Sequence, residues 1–486
     1  MTENPVAASE AVIPGTAALS PRRLILPLAL AQFICSFAGS NMNVMITDIS
    51  EDLNTTVQGV QVAITLFLLV MAALMIPGGK LTDRYGRKRC LNLGLAVYGV
   101  GAILSALSPG LPTLIVGNSI LEGIGTALLI PPVYILTTML FTEVTSRARA
   151  FGVINGMAGI GAATGPLIGG LIATAISWRA AFVFQALVIV VIIVLSRRDV
   201  RDPVPPDPTR PFDIVGAILS AAGLVLLVMG ILATDNNGWL ALGLIVAGMV
   251  VLAGFFLWIR SRERKGREAL LSTALFRNRV SNLGLITQNL QWLVLMGVSF
   301  VVSAFLQVVR GYNSIQTGLI LTAATIGLLL SSLAAERFAK RRSQRRLIQA
   351  GFVLTTAGIA LFIAVVGVSK SFWAFLPGLF LIGLGIGVML TPSVSVVQSS
   401  FSDERQGEIS GLSRSVSNLG SSLGAAIAGT ILVANLTKTP DRAYALAMIV
   451  LAIISLVGLV AALFLPGTST STPTASPHTP SAPVRG

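Results

Sequence analysis

The chain has 486 residues, of which 54% are hydrophobic and only 11% charged, and its 34 Lys and Arg leave a formal net charge of +14. A soluble globular chain carries about 25% charged residues, so the composition excludes one and points to a protein that crosses a membrane many times. The two cysteines fall in or beside apolar runs, at Cys35 and Cys90, and the single histidine is His478. A structural disulfide, a His-based metal site and a His proton relay are therefore not expected.

Residues 1–21 are small and polar and read as a disordered cytoplasmic arm. Arg22 and Arg23 then precede an apolar run without a cleavage site, which is read as an uncleaved first span. Runs long enough to cross a bilayer follow at about 24–46, 59–78, 90–107, 111–135, 151–175 and 180–196. A Pro-rich connection leads to two more, at about 213–234 and 239–259, and a basic segment precedes the last six. Those lie at about 280–308, 315–335, 347–368, 372–396, 409–433 and 443–465. The Ser/Thr/Pro-rich tail 467–486 reads as disordered.

The expected fold is thus an all-α polytopic membrane protein with fourteen transmembrane helices. It divides into a six-helix half over 22–198, a linker with an inserted helix pair over 199–279, and a second six-helix half over 280–466. Charge tests this count through the positive-inside rule. With the N-terminus in the cytoplasm, only Arg179, Arg310, Lys370, Lys438 and Arg442 fall outside and Arg414 falls within a span. All other Lys and Arg are cytoplasmic, so the basic charge is topogenic and lipid-facing rather than a nucleic-acid surface.

An internal repeat supports the division. Gly123, Gly125, Pro132 and Phe141 recur as Gly383, Gly385, Pro392 and Phe401, each 260 residues later. Two halves related in this way imply a transporter with its site between them, near the midplane.

The loop after the second span reads Gly79-Lys-Leu-Thr-Asp83-Arg84-Tyr-Gly86-Arg87-Lys88-Arg89. Gly79 is suited to close helix approach and Gly86 to a tight turn, while Asp83 is suited to a helix N-terminus or a basic partner. This resembles motif A of the major facilitator superfamily. The resemblance implies that Asp83, with Arg84 and Arg87 beside it, latches the cytoplasmic side against the opposite half in the outward-open state. The matching loop of the second half, Glu336 to Arg346, lacks the glycines and an Asp; Lys340 or Ser343 stands opposite Asp83.

The fifth span contains Gly152, Gly161, Gly165, Pro166, Gly169 and Gly170. Positions 161, 165 and 169 stack on one bare helix face that admits a neighbouring backbone, and Pro166 removes a hydrogen bond and bends the helix. This pattern resembles motif C, the signature of drug:proton antiporters, and in the thirteenth span Ala425-Ala426 stands in place of Gly165-Pro166. With fourteen spans and both motifs, the chain resembles the fourteen-helix drug:proton antiporter family over 24–466.

Two departures from that family matter. Ala38 sits where an acidic residue is common in the first span, and the fourth-span pattern R-x-x-Q-G becomes Ser119-Ile-Leu-Glu122-Gly123. Glu122 is therefore the leading proton-coupling candidate, since an ionisable residue in mid-membrane is costly and usually functional. Arg414 is read as a cavity counter-charge or a snorkelling interfacial residue, and Asp48 as an interfacial charge or, alternatively, a residue with an entry or release role. Asn41, Asn43, Gln288, Gln291 and Trp292, with Asn289, are candidates for the substrate cavity or for interhelical hydrogen bonds. Met42, Met45, Met296 and Phe300 would give it an adaptable apolar wall.

The expected activity is proton-driven efflux of hydrophobic or amphipathic small molecules across the cytoplasmic (inner) membrane, by a monomer with both termini cytoplasmic. No phosphate-binding loop of the G-x-x-x-x-G-K-[ST] type occurs, so the proton gradient, and no cofactor or metal, is the expected driver. Export of a lipid or endogenous metabolite, symport uptake and a non-transporting sensor are the alternatives. No nucleophile–base pair supports an enzyme.

Overall fold

The computed structural model describes residues 21–466 except 142, 201, 203–204, 235–236, 340–341, 367–368, 370, 402–404 and 437–439. The predicted arm before Pro21 and the tail from 467 fall outside these residues. Among the described residues fourteen helices are long and apolar enough to span a membrane. They are α1 (Arg22–Asp52), α2 (Val57–Tyr85), α3 (Arg87–Ala106), α4 (Leu111–Leu140), α5 (Arg149–Ala175), α6 (Trp178–Asp199), α7 (Ile214–Leu232), α8 (Gly238–Arg264), α9 (Arg279–Val309), α10 (Ser314–Ser332), α11 (Gln344–Val365), α12 (Phe372–Gln398), α13 (Glu408–Ala434) and α14 (Arg442–Leu463).

Short polar residues set several of the starts by accepting orphan backbone N–H groups. Thr56 accepts from Gly59 N, Ser177 from Ala180 N, Asp213 from Gly216 N and Asn278 from Val280 N. Trp239 and Trp373 stand exposed at the same end of the bundle, where an aromatic belt meets the membrane interface. The other end holds most of the Lys and Arg and is called the basic end below.

Lipid offers little hydrophobic drive for helix association, so small residues that admit a neighbouring backbone set the helix seams. In α4, a Cβ on Gly123 would lie 2.9 Å from Val70 of α2, and one on Gly125 would lie 2.7 Å from Tyr98 N of α3. In α12, a Cβ on Gly383 would overlap the Ala324 backbone of α10, and one on Gly385 would come 2.6 Å from Thr355 N of α11. The repeated glycines thus make matching contacts eight helices apart.

The same comparison corrects the register of α5 and α13. Gly161 and Gly165 of α5 abut the Phe33 and Phe37 carbonyls of α1, while Gly420 and Gly424 of α13 abut those of Asn289 and Leu293 of α9. The offset is therefore 259 residues here, and Gly165-Pro166 corresponds to Gly424-Ala425. The glycine is kept and only the proline is lost. The helix through Pro166 stays continuous.

Two seams join the halves. Along α2 and α13, Gln61 donates to the carbonyls of Ala425 and Ala426, Ser422 to Thr65 O and Ser415 to Ala72 O. At the basic end of this seam Lys80 pairs with Glu408 at 3.0 Å. The α5–α10 seam is tight only away from the basic end. There Gly170 abuts Ser314, Gly318 abuts Pro166, and Ile315 N donates to Thr174 Oγ1 at 3.2 Å. Towards the basic end, a Cβ on Gly152 or Gly156 would meet no described residue within 4 Å. The pair α7–α8 packs against the α2–α13 seam and is mostly exposed, as a lipid-facing appendage is.

Replacing Gly125 with Val should lower the melting temperature of the detergent-purified protein by the equivalent of roughly 1–3 kcal/mol or more, the cost of overpacking a filled seam. Gly243, with nothing described within 4 Å, should accept Val with no measurable change. Equal melting of both variants would show that the glycine seams do not limit stability.

Candidate functional site

Glu122 closes a π-helical stretch, Ile115–Glu122, within α4. The repeat explains the irregular turn. Gly117 backs onto α3 as Gly378 backs onto α11, and Gly123 faces α2 as Gly383 faces α10. Six residues separate the first pair of α4 positions and five the second pair in α12, so α4 holds one extra residue and widens to take it. Such bulges are frequent at functional sites.

The carboxyl of Glu122 is 0% exposed and is turned against α3. Ser105 Oγ lies 3.4 Å from Oε1 and Asn118 Nδ2 lies 3.5 Å from Oε2. Tyr98 borders the same enclosure and donates its hydroxyl to Gln185 Oε1 of α6. Asn118 Oδ1 and Gln185 Nε2 are buried without a partner among the described residues. The pocket is polar but incompletely satisfied, unlike a network built only for stability. At the equivalent position of the second half, behind Gly358 as Glu122 is behind Gly101, stands Ile382, 1% exposed. The scaffold itself does not need a carboxyl there.

Arg414 lies on α13 and reaches across to α4 of the other half. It donates to the Tyr134 hydroxyl, and its guanidinium carbon sits 4.7 Å from the Tyr134 ring centre. The same hydroxyl donates to Asn155 Oδ1 of α5 at 3.1 Å, and Phe151 stacks on the ring. With the 259-residue register, Arg414 and Asn155 occupy equivalent positions of the two halves. Arg414 is therefore part of an inter-half cluster, and snorkelling is not its arrangement. Sequence reasoning missed Tyr134 and Asn155. The repeat register, once corrected, is the signal that leads from Arg414 to Asn155.

Motif A differs from its expected arrangement in three ways. Its first half continues α2, and only Gly86, at φ +95°, makes the turn into α3. Close approach occurs at Gly78, which abuts Ala127, whereas a Cβ on Gly79 would sit 3.7 Å from Pro131 in ordinary contact. Among the described residues Asp83 meets no partner of the opposite half: it pairs with Arg87 at 3.1 Å and with Arg210 of the connection to α7 at 3.4 Å. The inter-half ion pair is made by Lys80 with Glu408 instead. Arg84 stacks over Tyr85.

Asp202, also in the connection, accepts from the backbone N–H groups of Arg87 and Lys88 at 2.6 and 3.2 Å and so caps α3. The segment holding Asp202 and Arg210 thus clamps motif A from outside the six-helix halves. Of Lys340 and Ser343, the two residues expected opposite Asp83, Lys340 lies outside the described residues.

The remaining candidates serve mainly as joints. Asp48 accepts from the Ser314 hydroxyl, and Gln307 donates to Asn43 O at 2.9 Å while accepting from Thr47 N at 3.1 Å. These contacts tie α1 to α9 and α10 at the end opposite the basic one. Gln288 bonds Ser413 and Ser417 of α13, Gln291 accepts from Ser393 of α12, and Asn289 donates to Val416 O. Asn41, Asn43, Gln288 and Gln291 are all buried and Trp292 is partly buried. Gln288, Gln291 and Asn289 thus join helices, whereas Asn41 Nδ2 and Asn43 Oδ1 are buried without a partner among the described residues. Among the described residues no cluster of His, Cys, Asp and Glu has the make-up of a metal site.

Two six-helix halves repeating the same contacts, with a polar cluster between them, define a secondary-transporter architecture. The family model of the Major Facilitator Superfamily matches residues 28–213 and 284–485, leaving out the stretch that carries α7 and α8. The chain is 30% identical over 420 residues to the puromycin resistance protein pur8 of Streptomyces alboniger, covering 85% of this chain and 82% of that one. It is 27% identical over 417 residues to the multidrug resistance protein Stp of Mycobacterium tuberculosis, covering 85% and 76%. A crystal structure of the peptide transporter POT in complex with sulfate shares the fold at a TM-score of 0.67 and 16% identity, over 92% of this chain and 95% of that one. The chain belongs to the major facilitator superfamily, in its multidrug exporter family.

Asp202→Ala removes the cap of α3 and should cost about 1 kcal/mol, within the usual range for a lost helix cap. It should also speed trypsin cleavage after Arg197 or Arg198. Unchanged melting and unchanged cleavage would show that the connection does not hold motif A.

Proposed function

We propose that this protein exports hydrophobic or amphipathic small molecules across the cytoplasmic membrane by alternating access, in exchange for protons, with both termini in the cytoplasm. The observation that carries the coupling is the replacement of Ile382 by Glu122 at equivalent places in the two halves. Ionising a carboxyl in such an enclosure, without a cation beside it, is costly. Loss of its proton is then tied to a conformation that lets water in, which is what coupling requires. The seams support the cycle: the halves are joined along α2–α13, while among the described residues the tight backbone contacts of α5 with α10 lie away from the basic end. That arrangement suits a cytoplasm-facing state.

The driving force is sufficient. One charge moved through 100 mV yields about 2.3 kcal/mol, and each 1.4 kcal/mol or so is a tenfold concentration ratio. One proton sustains on the order of a fiftyfold gradient before any pH difference is added. The curated relatives named for drug resistance support export over uptake.

In everted membrane vesicles, addition of a transported dye or antibiotic should release protons from the wild-type interior, read by a pH-sensitive fluorophore. Glu122→Gln should bring that signal down to the level of vesicles lacking the protein, at equal protein content. Glu122→Asp should retain part of it. Proton antiport unchanged in Glu122→Gln would remove Glu122 from the mechanism.

A further inference from the structure

We infer that Arg414, Tyr134 and Asn155 form a substrate subsite that takes the acidic group of an anionic amphiphile. This rests on the export reading above and adds to it the charge class of the cargo.

The cluster sits between the halves. Arg414 comes from α13, Tyr134 from α4 and Asn155 from α5, and the Tyr134 hydroxyl joins the other two. The described partners of the guanidinium are that hydroxyl and the ring beneath it, neither of them anionic. Among the described residues Arg414 makes no ion pair. A guanidinium carries five N–H donors in a planar fork suited to a carboxylate or phosphate. Held over an aromatic face, it keeps its charge and offers its free edge to a ligand.

There is room beside it. Gly152, Asn155 and Gly156 share one face of α5, three and four residues apart. No described residue lies within 4 Å of where a Cβ on Gly152 or Gly156 would be, and the same holds for Gly411, the counterpart of Gly152 on α13. Asn155 is exposed on this face. The glycines that pack no described helix lie on the face of Asn155, the side chain that Tyr134 links to Arg414, and the recess of the proposed subsite would open beside them.

Among the described residues no acidic side chain of the membrane interior balances it. Glu122 is turned to α3 and lies twelve residues before Tyr134 on α4, about 18 Å along the axis. Asp48 is engaged by Ser314 at the opposite end of α1. A cationic cargo in the recess would meet an unbalanced positive charge, and an anionic one would meet its complement. Neither helix repeat requires this charge, since the position equivalent to Arg414 is the neutral Asn155. Exchange of an outgoing anion for an incoming proton also moves two charges in the direction an inside-negative potential favours.

The test is equilibrium binding to the full-length protein in lipid nanodiscs, with empty nanodiscs subtracted and no gradient present. Three probes share one fluorophore and chain: 11-(dansylamino)undecanoic acid, its methyl ester and a trimethylammonium counterpart. The acid should bind roughly tenfold or more tighter than the ester, as a charge-assisted hydrogen bond implies, and the ammonium weakest. Arg414→Gln should bring the acid down to the ester, and Arg414→Lys should restore part of the difference. Gly156→Leu should weaken all three probes while leaving the melting temperature unchanged.

Binding of the ammonium as tight as that of the acid, binding of none of the three, or an acid preference unchanged in Arg414→Gln overturns the subsite. Because the assay uses no gradient, acid-selective binding without flux in vesicles would overturn the export reading alone. Proton-coupled flux with a cation preference would overturn the subsite alone.

Discussion

Backbone-to-backbone approach through glycine is the constraint on which the rest of this protein depends. In lipid, apolar side chains gain little by leaving one hydrocarbon surface for another, so seams form where helices come close enough for dense packing. Gly123 and Gly125 fix α4 against α2 and α3, and Gly161 and Gly165 fix α5 against α1. Each has a counterpart in the second half that meets the matching helix. The architecture is therefore one six-helix packing solution used twice.

Against that repeated frame, departures stand out. A position that carries Ile382 in one half and Glu122 in the other is not serving the frame, and neither is one that carries Asn155 in one half and Arg414 in the other. The extra residue in α4 beside Glu122 belongs to the same class. Where two halves share a packing solution, the residues that differ are free to carry function. The connection through Asp202 and Arg210 adds a third departure, since it clamps motif A with groups that neither six-helix half supplies.

Much of the fold was legible in the sequence because the strongest signals are local ones. Apolar runs and the placement of Lys and Arg gave fourteen spans, and the Gly/Pro offset gave the repeat. The helices extend past their apolar cores at polar ends such as Gly79–Tyr85, which hydropathy alone reads as a loop. The register of α5 against α13 was missed by one residue. Conspicuous Gly-Pro and Ala-Ala steps invited an alignment that carbonyl contacts at Gly161 and Gly420 correct. Of the site, Glu122 and Arg414 were legible because charges are rare in spans. Tyr134 and Asn155 were not, since Tyr and Asn within a membrane helix serve packing, interface and site alike. The polar faces of α1 and α9 pointed to a cavity, yet the amides of α9 went to interhelical bonds such as Gln288 with Ser417, while Asn41 and Asn43 of α1 keep unpartnered polar atoms among the described residues.

Both charged departures make their contacts through one helix. Glu122 is enclosed between α4 and α3, and Arg414 meets the protein of the other half at Tyr134 of α4. The two candidate sites face different neighbours and are separated along the helix, so under the proposed function a proton and a cargo would not compete for one group. A rigid shift of α4 nevertheless displaces both at once. It changes the enclosure of Glu122 against Gly101 and moves the hydroxyl on which Arg414 and Asn155 converge. Linkage requires that two ligands favour different arrangements of a shared element. With close-packed glycine seams on both its α2 and α3 faces, α4 has discrete rather than graded positions available to it.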